Sequence, residues 1–264
     1  MKRFEKVILG MLVLSNLAPA SIKKLQKYAL HELAIYKVDT FEDVKAIPTF
    51  SLGAPSGMVS RAEAGYFSLA CLKDKDYTDG GMLIGMGYGD PTKIGGDISL
   101  TIGSVNPNDG GAFNRGSLNI AAGHNFRDQL LGVAVGIDSI NLWHDSSIDY
   151  DENPSMYLAM TKLFPNDIAP MVFTVGAGNN NYAKINEEGD KKNHIYPFVS
   201  GAVYVMPQLS LVADYTSKVT TLGVGIVPFP RLPLTISLAA YDVTKEREED
   251  KVSFIGTLSV AFHL

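Results

Sequence analysis

Two groups of residues in this sequence could do chemistry. His144-Asp145-Ser146 sets an imidazole and a hydroxyl two positions apart, with Asn141 and Asn153 close by in the chain. A serine nucleophile needs a base within hydrogen-bond reach and a third group to orient that base. Polar loops hold His, Asp and Ser by composition alone, however. The trio therefore reads as an ordinary loop and no enzyme is expected, with hydrolysis by His144 and Ser146 as the lesser alternative. The second group is Asp97, Asp138 and Asp214. Each interrupts a segment of alternating apolar residues on its polar side, where a carboxylate must face a lumen or an interface rather than lipid. Acids around a pore favour cations. The plainer reading makes them hydrogen-bond acceptors that hold a filled lumen together.

No cofactor or metal is expected. His31, His124, His194 and His263 show no metal-ligand spacing, and Cys71 is the only cysteine. Gly85, Gly87 and Gly89 alternate, but no Lys-Ser/Thr follows and no helix pattern opens after them, so they do not form a phosphate loop. They read as small lumen-facing residues that let neighbouring strands pack closely. The formal net charge is −5 and no basic stripe appears, which argues against a nucleic-acid partner.

The elements that position these residues have a period of two. In the last segment Val252, Phe254, Leu258, Val260, Phe262 and Leu264 alternate with Ser253, Thr257, Ser259, Ala261 and His263. One face is apolar and the other small or polar, as in a strand between lipid and a wet lumen. Similar runs lie near 60–72, 81–89, 96–105, 116–126, 130–143, 155–164, 171–180, 196–206, 209–217, 220–228 and 233–242. The expected fold is all-β: a transmembrane antiparallel up-and-down β-barrel of about twelve strands over 57–264, with a short N-terminal helical lead-in. Links after even strands are short. Those after odd strands are longer and polar, except near Lys218. Short turns at one end and long loops at the other are the outer-membrane pattern, which puts both termini in the periplasm. Aromatics fall near the expected membrane edges: Tyr88, Phe126, Phe164, Tyr204, Phe229 and Phe262 at one, Trp143, Tyr182, Tyr215 and Tyr241 at the other. Two such rows would be the aromatic girdles of the lipid interfaces.

The N-terminus reads as a targeting signal. Lys2, Arg3 and Lys6 precede an apolar run from Val7 to Leu17, and Ala18-Pro19-Ala20 forms a cleavage site. Residues 1–20 are then a signal peptide. Residues 21–56 are a periplasmic helical or extended lead-in, with Ile22, Leu25, Ala29 and Leu33 at helical spacing. This segment could plug or gate the barrel, and a flexible lead-in is the favoured reading.

Two stretches resemble the YjbH-like outer-membrane barrels associated with exopolysaccharide secretion. One is Ile47-Pro48-Thr49-Phe50-Ser51-Leu52-Gly53-Ala54-Pro55-Ser56-Gly57; the other runs from Leu209 to Thr244. The resemblance implies a polysaccharide-linked outer-membrane role and supplies no catalytic residues. A His-x-Ser pair at the outer edge of a twelve-stranded barrel also resembles the outer-membrane phospholipases. The functional expectation is a passive or export-linked channel for small polar solutes or saccharide, or alternatively a non-conducting structural or adhesive barrel. Expected partners are outer-membrane lipids, lipopolysaccharide and the barrel-assembly machinery.

Overall fold

The structure is a computed structural model. It describes residues 46–73, 78–104, 112–146, 153–165, 169–182, 194–206, 208–216, 219–229, 231–246 and 252–264. The signal peptide, its cleavage after Ala20 and the helix expected over 21–45 lie outside the described residues. Twelve strands form: β1 (Ala64–Lys73), β2 (Thr78–Asp90), β3 (Ile94–Gly103), β4 (Arg115–Phe126), β5 (Leu131–His144) and β6 (Ser155–Phe164) make one half. The other half is β7 (Met171–Gly178), β8 (Tyr196–Met206), β9 (Leu209–Thr216), β10 (Val219–Ile226), β11 (Leu234–Tyr241) and β12 (Ser253–His263). Each pairs antiparallel with its neighbours in sequence, and β1 pairs with β12 from Ala64↔His263 to Lys73↔Phe254 to close the ring. Closure leaves no edge strand with unpaired backbone groups.

The alternation decides which way each side chain faces. Ile84, Met86, Val135, Leu158, Leu238 and Phe254 are exposed on the outside, whereas Ser99, Thr161, Thr174, Ser200, Ser210 and Asp214 are buried within. A soluble monomer does not expose so continuous an apolar surface. An apolar exterior around a polar interior is the arrangement of a membrane barrel. At the outer rim near the short turns, the Lys162 ammonium reaches the Gln129 carbonyl and lies 5.9 Å from the centre of the Phe164 ring. A lysine stem on apolar surface with its charge turned to a polar edge is snorkelling.

Links after even strands are short, as at 91–93 and 127–130, and those after β3, β5, β7 and β11 are long. The link after β1 is shorter than expected, because Thr78 pairs with Lys73 and Gly80 with Cys71. Gly80 reads as the last residue of a loop, but the ladder extends through it to Thr78. Asp79, at the same end, is held by an ion pair to Arg115 at 3.1 Å.

Residues 46–62 do not lie outside the barrel. They fold into its lumen as an inner loop. The loop starts beside the short turns, where Thr235 donates to the Ile47 carbonyl at 3.1 Å and Tyr204 to the Pro48 carbonyl at 3.3 Å. It rises to an apex at Leu52–Ala54 and descends past Gly57, Val59 and Ser60. At the short-turn end the Ala62 amide donates to the Gly89 carbonyl at 2.9 Å, and the chain enters β1. The favoured lead-in reading therefore does not describe residues 46–56. The first strand begins at Ala64, not near 60, because Ser60 and Arg61 belong to the descending leg.

Phe50 and Leu52 pack on a buried cluster of Leu163, Val172, Ala202, Tyr204 and Val212. Ala54 packs with Ala159, Tyr182 and Phe198. The lumen near the short turns is thus a hydrophobic core assembled between wall and loop.

Candidate functional site

The inner loop is anchored by side chains of the wall. Asp214 on β9 holds the apex: its Oδ2 accepts the amides of Leu52, Gly53 and Ala54 at 2.6, 2.7 and 3.1 Å, and the Ser51 hydroxyl at 3.2 Å. Its Oδ1 accepts the Ser200 hydroxyl. Successive amides converging on one anionic oxygen form a nest, and such charge-assisted bonds compensate a carboxylate that is 2 % exposed. The descending leg repeats the device. Gly57 donates to Thr161 Oγ1 at 2.8 Å, Val59 to Asn125 Oδ1 at 3.2 Å, and Ser60 to Asp97 Oδ2 at 3.1 Å. A non-helical backbone is tolerated at membrane depth only when its polar groups are met by protein in this way.

Contact between loop and wall is close enough to require glycine. A Cβ on Gly57 would lie 2.6 Å from the Gly132 carbonyl oxygen, and one on Gly225 would lie 2.4 Å from the Thr49 nitrogen. On β2, a Cβ at Gly87 would meet the Arg61 carbonyl and one at Gly85 the Tyr66 ring. The alternating glycines therefore make room for the inner loop as well as for their strand neighbours.

Above the apex, toward the long loops, lies a cavity of about 560 Å³. Leu52 and Gly53 form its floor. One wall carries Ser99, Asn119, Asp138, Ser139, Asn181 and Tyr182; the opposite wall carries Asp214, Thr216, Thr221 and Tyr241. Leu83 and Ile255 form an apolar strip between them.

Strict alternation would not place both Asp138 and Ser139 inside. A register shift between Leu118 and Ile120 makes a bulge in β5, and Ser139 adopts a φ of 60° there. Bulges re-aim side chains in this manner. The Ser139 amide then donates to Asn119 Oδ1 at 2.9 Å, and Asn119 Nδ2 donates to Thr101 Oγ1 at 2.9 Å. Asn181 Nδ2 donates to Ser139 Oγ at 2.9 Å. The Asn179–Asn181 run reads as a simple turn signal in the sequence. It forms a 3-10 turn at Asn180–Tyr182 that folds inward and delivers Asn181 and Tyr182 to the cavity.

Of the three acids, Asp138 and Asp214 line the cavity, and Asp97 meets the inner loop lower down. Asp138 accepts the Tyr182 hydroxyl. Burial, followed by the adjacent Asp138 carboxylate, raises that hydroxyl above its ordinary value, so it stays protonated and donates.

The aromatic residues divide. Phe126, Trp143, Phe164 and Phe229 are exposed. Tyr88 and Phe262 lie outside over Gly96 and Gly65, and Tyr215 continues the outward face of Leu209, Leu211 and Ala213. Tyr182, Tyr204 and Tyr241, expected at lipid interfaces, instead face the interior. Tyr204 and Tyr182 are buried against loop residues, and Tyr241 lines the cavity. Pairing supplies the reason for Tyr204: it lies opposite Ser210 on the inner face.

His144 lies opposite Arg115 at the mouth, and its Nδ1 is 3.1 Å from the Asn141 amide nitrogen. Arg115 packs over Gly103, which lies on the inner side of β3, so this edge of β4 and β5 turns toward the lumen. Among the described residues, no group of three or more His, Cys, Asp or Glu could hold a metal ion.

No family model matches this chain, and no curated protein matches it. Among solved structures, the chain is similar to an outer membrane channel from Pseudomonas putida, with a TM-score of 0.48 at 9% identity, covering 80% of this chain and 100% of that one. Outer membrane phospholipase A from Escherichia coli aligns with a TM-score of 0.42 at 10% identity, over 78% of this chain and 98% of that one. The Acinetobacter baumannii outer membrane protein Omp33 aligns with a TM-score of 0.41 at 10% identity, over 79% and 100%. Each likeness is one of barrel shape, and this chain's fold rests on its own closed strand register.

Proposed function

We propose that this chain is an outer-membrane channel for small polar solutes or saccharide, held shut in this structure by its inner loop. The observation that carries the reading is how the lumen is closed. Apart from the Ala62–Gly89 backbone bond at its foot, no strand among the described residues pairs with the inner loop. Side-chain hydrogen bonds from Asp214, Thr161, Asn125 and Asp97 hold it, with apolar packing around Phe50 and Leu52. Such contacts can part without breaking the strand ladder that forms the wall.

Beneath the loop, the wall carries small and polar side chains such as Ser200, Ser210, Thr174 and Gly225 beside the apolar Leu163, Val172 and Phe198, and the small ones leave room for a passage once the loop withdraws. On this reading the signal peptide directs export, the barrel-assembly machinery inserts the strands, and the exterior contacts lipid and lipopolysaccharide. The short turns and both termini face the periplasm. A link to polysaccharide export rests on the YjbH-like resemblance.

The test is single-channel current from refolded full-length protein in a planar bilayer, compared with Asp214→Ala and Gly225→Val. Discrete steps that grow or become more frequent in the variants support a gated channel. Silence from all three, each shown to be folded and inserted, would leave a non-conducting structural barrel as the reading.

A further inference from the structure

The cavity above the apex has the properties of a binding site. Its volume of about 560 Å³ lies within the roughly 300–1,000 Å³ of small-molecule sites. The polar groups on its wall are fixed in advance. The β5 bulge turns Ser139 inward, Asn119 donates to Ser99 and Thr101 and accepts from the Ser139 amide, which leaves it one Oδ1 lone pair for a ligand hydroxyl, and Asn181 is held on Ser139. On the opposite side Thr216 has a buried hydroxyl with no hydrogen-bond partner among the described residues.

Charge narrows the ligand. Asp138 and Asp214 line the cavity, and among the described residues no Lys, Arg or His does. The inward cation nearest in the β3–β5 wall, Arg115, is engaged by Asp79 at 3.1 Å. An anion would therefore enter against two carboxylates with no counter-charge among the described lining residues. The Asp214 carboxylate is filled by the apex amides and Ser200, whereas among the described residues Asp138 accepts from Tyr182 alone. Asp138 is the acid with capacity left for a ligand hydroxyl or amine.

Shape narrows it further. Two hydrogen-bonding walls face each other across an apolar strip of Leu83 and Ile255, above a floor that includes Leu52. A sugar ring presents hydroxyls at its edges and C–H groups on its faces, and this arrangement matches both.

We propose that the cavity binds a neutral or cationic saccharide of one or two rings, with Asn119 and Asp138 as its principal hydrogen-bonding contacts. The proposal rests on the channel reading, whose substrate class it names. Because the floor is Leu52 and Gly53, a bound sugar would touch the apex that closes the lumen.

The experiment is titration calorimetry on folded full-length protein in detergent, with maltose, a glucosamine disaccharide and glucuronate as probes. Binding of the first two is expected, with glucuronate at least about tenfold weaker. Asn119→Ala should weaken both by up to about tenfold, the effect of losing one hydrogen bond. Asp138→Asn should weaken the amino sugar more than maltose. Ser99→Ala replaces Asn119→Ala if the latter does not fold. The proposal is overturned if no sugar binds folded protein, if glucuronate binds as tightly as maltose, or if neither wall variant changes affinity. Binding without any bilayer conductance would keep this site and remove the channel reading.

Discussion

The Gly53 amide donates to Asp214 Oδ2 at 2.7 Å, joining residues 161 positions apart in the chain. Leu52 and Ala54 share that oxygen, so one carboxylate fixes the highest point of the inner loop. Asp214→Ala should cost about 2–4 kcal/mol of loop docking, on the scale of a few charge-assisted hydrogen bonds. Amide exchange at Leu52, Gly53 and Ala54 would then quicken by more than about tenfold while the wall strands keep their protection. Unchanged exchange at these three amides would mean that packing around Phe50 and Leu52 alone secures the loop.

A steric change tests the same docking without touching a polar group. A Cβ on Gly225 would lie 2.4 Å from the Thr49 nitrogen, so Gly225→Val forces the ascending leg away from the wall. Overpacking costs about 1–3 kcal/mol, which corresponds to roughly a ten- to hundredfold change in a local opening equilibrium. With Cys71 replaced by Ala, a Ser51→Cys probe should react with a maleimide faster in the Gly225→Val background. Equal rates would show that the leg stays seated.

Thr161 has two duties. Its hydroxyl accepts the Gly57 amide at 2.8 Å and bonds Thr174 Oγ1 at 2.7 Å. Thr161→Val leaves a buried amide without an acceptor and should lower stability by about 1–3 kcal/mol in urea unfolding from vesicles. Thr174→Val should cost less, because the Gly57 amide keeps its acceptor. The reverse order would locate the main contribution in the threonine pair itself.

The outer face can be tested against lipid. Val135 is 55% exposed near the middle of β5. Val135→Arg should destabilise the inserted barrel by about 2–4 kcal/mol if that site lies near the bilayer midplane. Thr257→Asn, on the inner face of β12, should cost far less. Equal tolerance of both changes in vesicles would contradict a lipid-facing exterior.

The wall was legible in the sequence because a barrel strand repeats every two residues, and Ile98, Leu100 and Ile102 against Asp97, Ser99 and Thr101 state that period openly. Strand ends were less legible, since Asp79 and Gly80 carry turn chemistry yet pair with Leu72 and Cys71. The inner loop was not legible. Ile47 to Gly57 has no periodicity, and its amides are satisfied by Asp214, Thr161, Asn125 and Asp97, all distant in the chain. Nor could alternation reveal the cavity wall, because the bulge at Ser139 breaks it. Tyr182 and Tyr204 were misplaced for a related reason: a tyrosine suits a lipid interface and a wet interior equally, and only register distinguishes them. A cue was present at Gly87, where a Cβ would meet the Arg61 carbonyl of the descending leg.

Both legs of the inner loop meet the wall at the same end of the cylinder, Ile47 beside Thr235 and Ala62 beside Gly89. Residues 46–62 are therefore inserted rather than threaded. A segment passing from one mouth to the other could leave only by being pulled end-first through the ring or by unzipping a seam. A loop that goes in and comes back can be withdrawn whole while all twelve hydrogen-bonded seams stay closed. Completing the ring before the loop is seated or afterwards ties no knot in either order. With its descending leg running straight into β1, the loop is also tethered at the Ala64–His263 end of the β1–β12 seam, so it cannot drift from the mouth it fills.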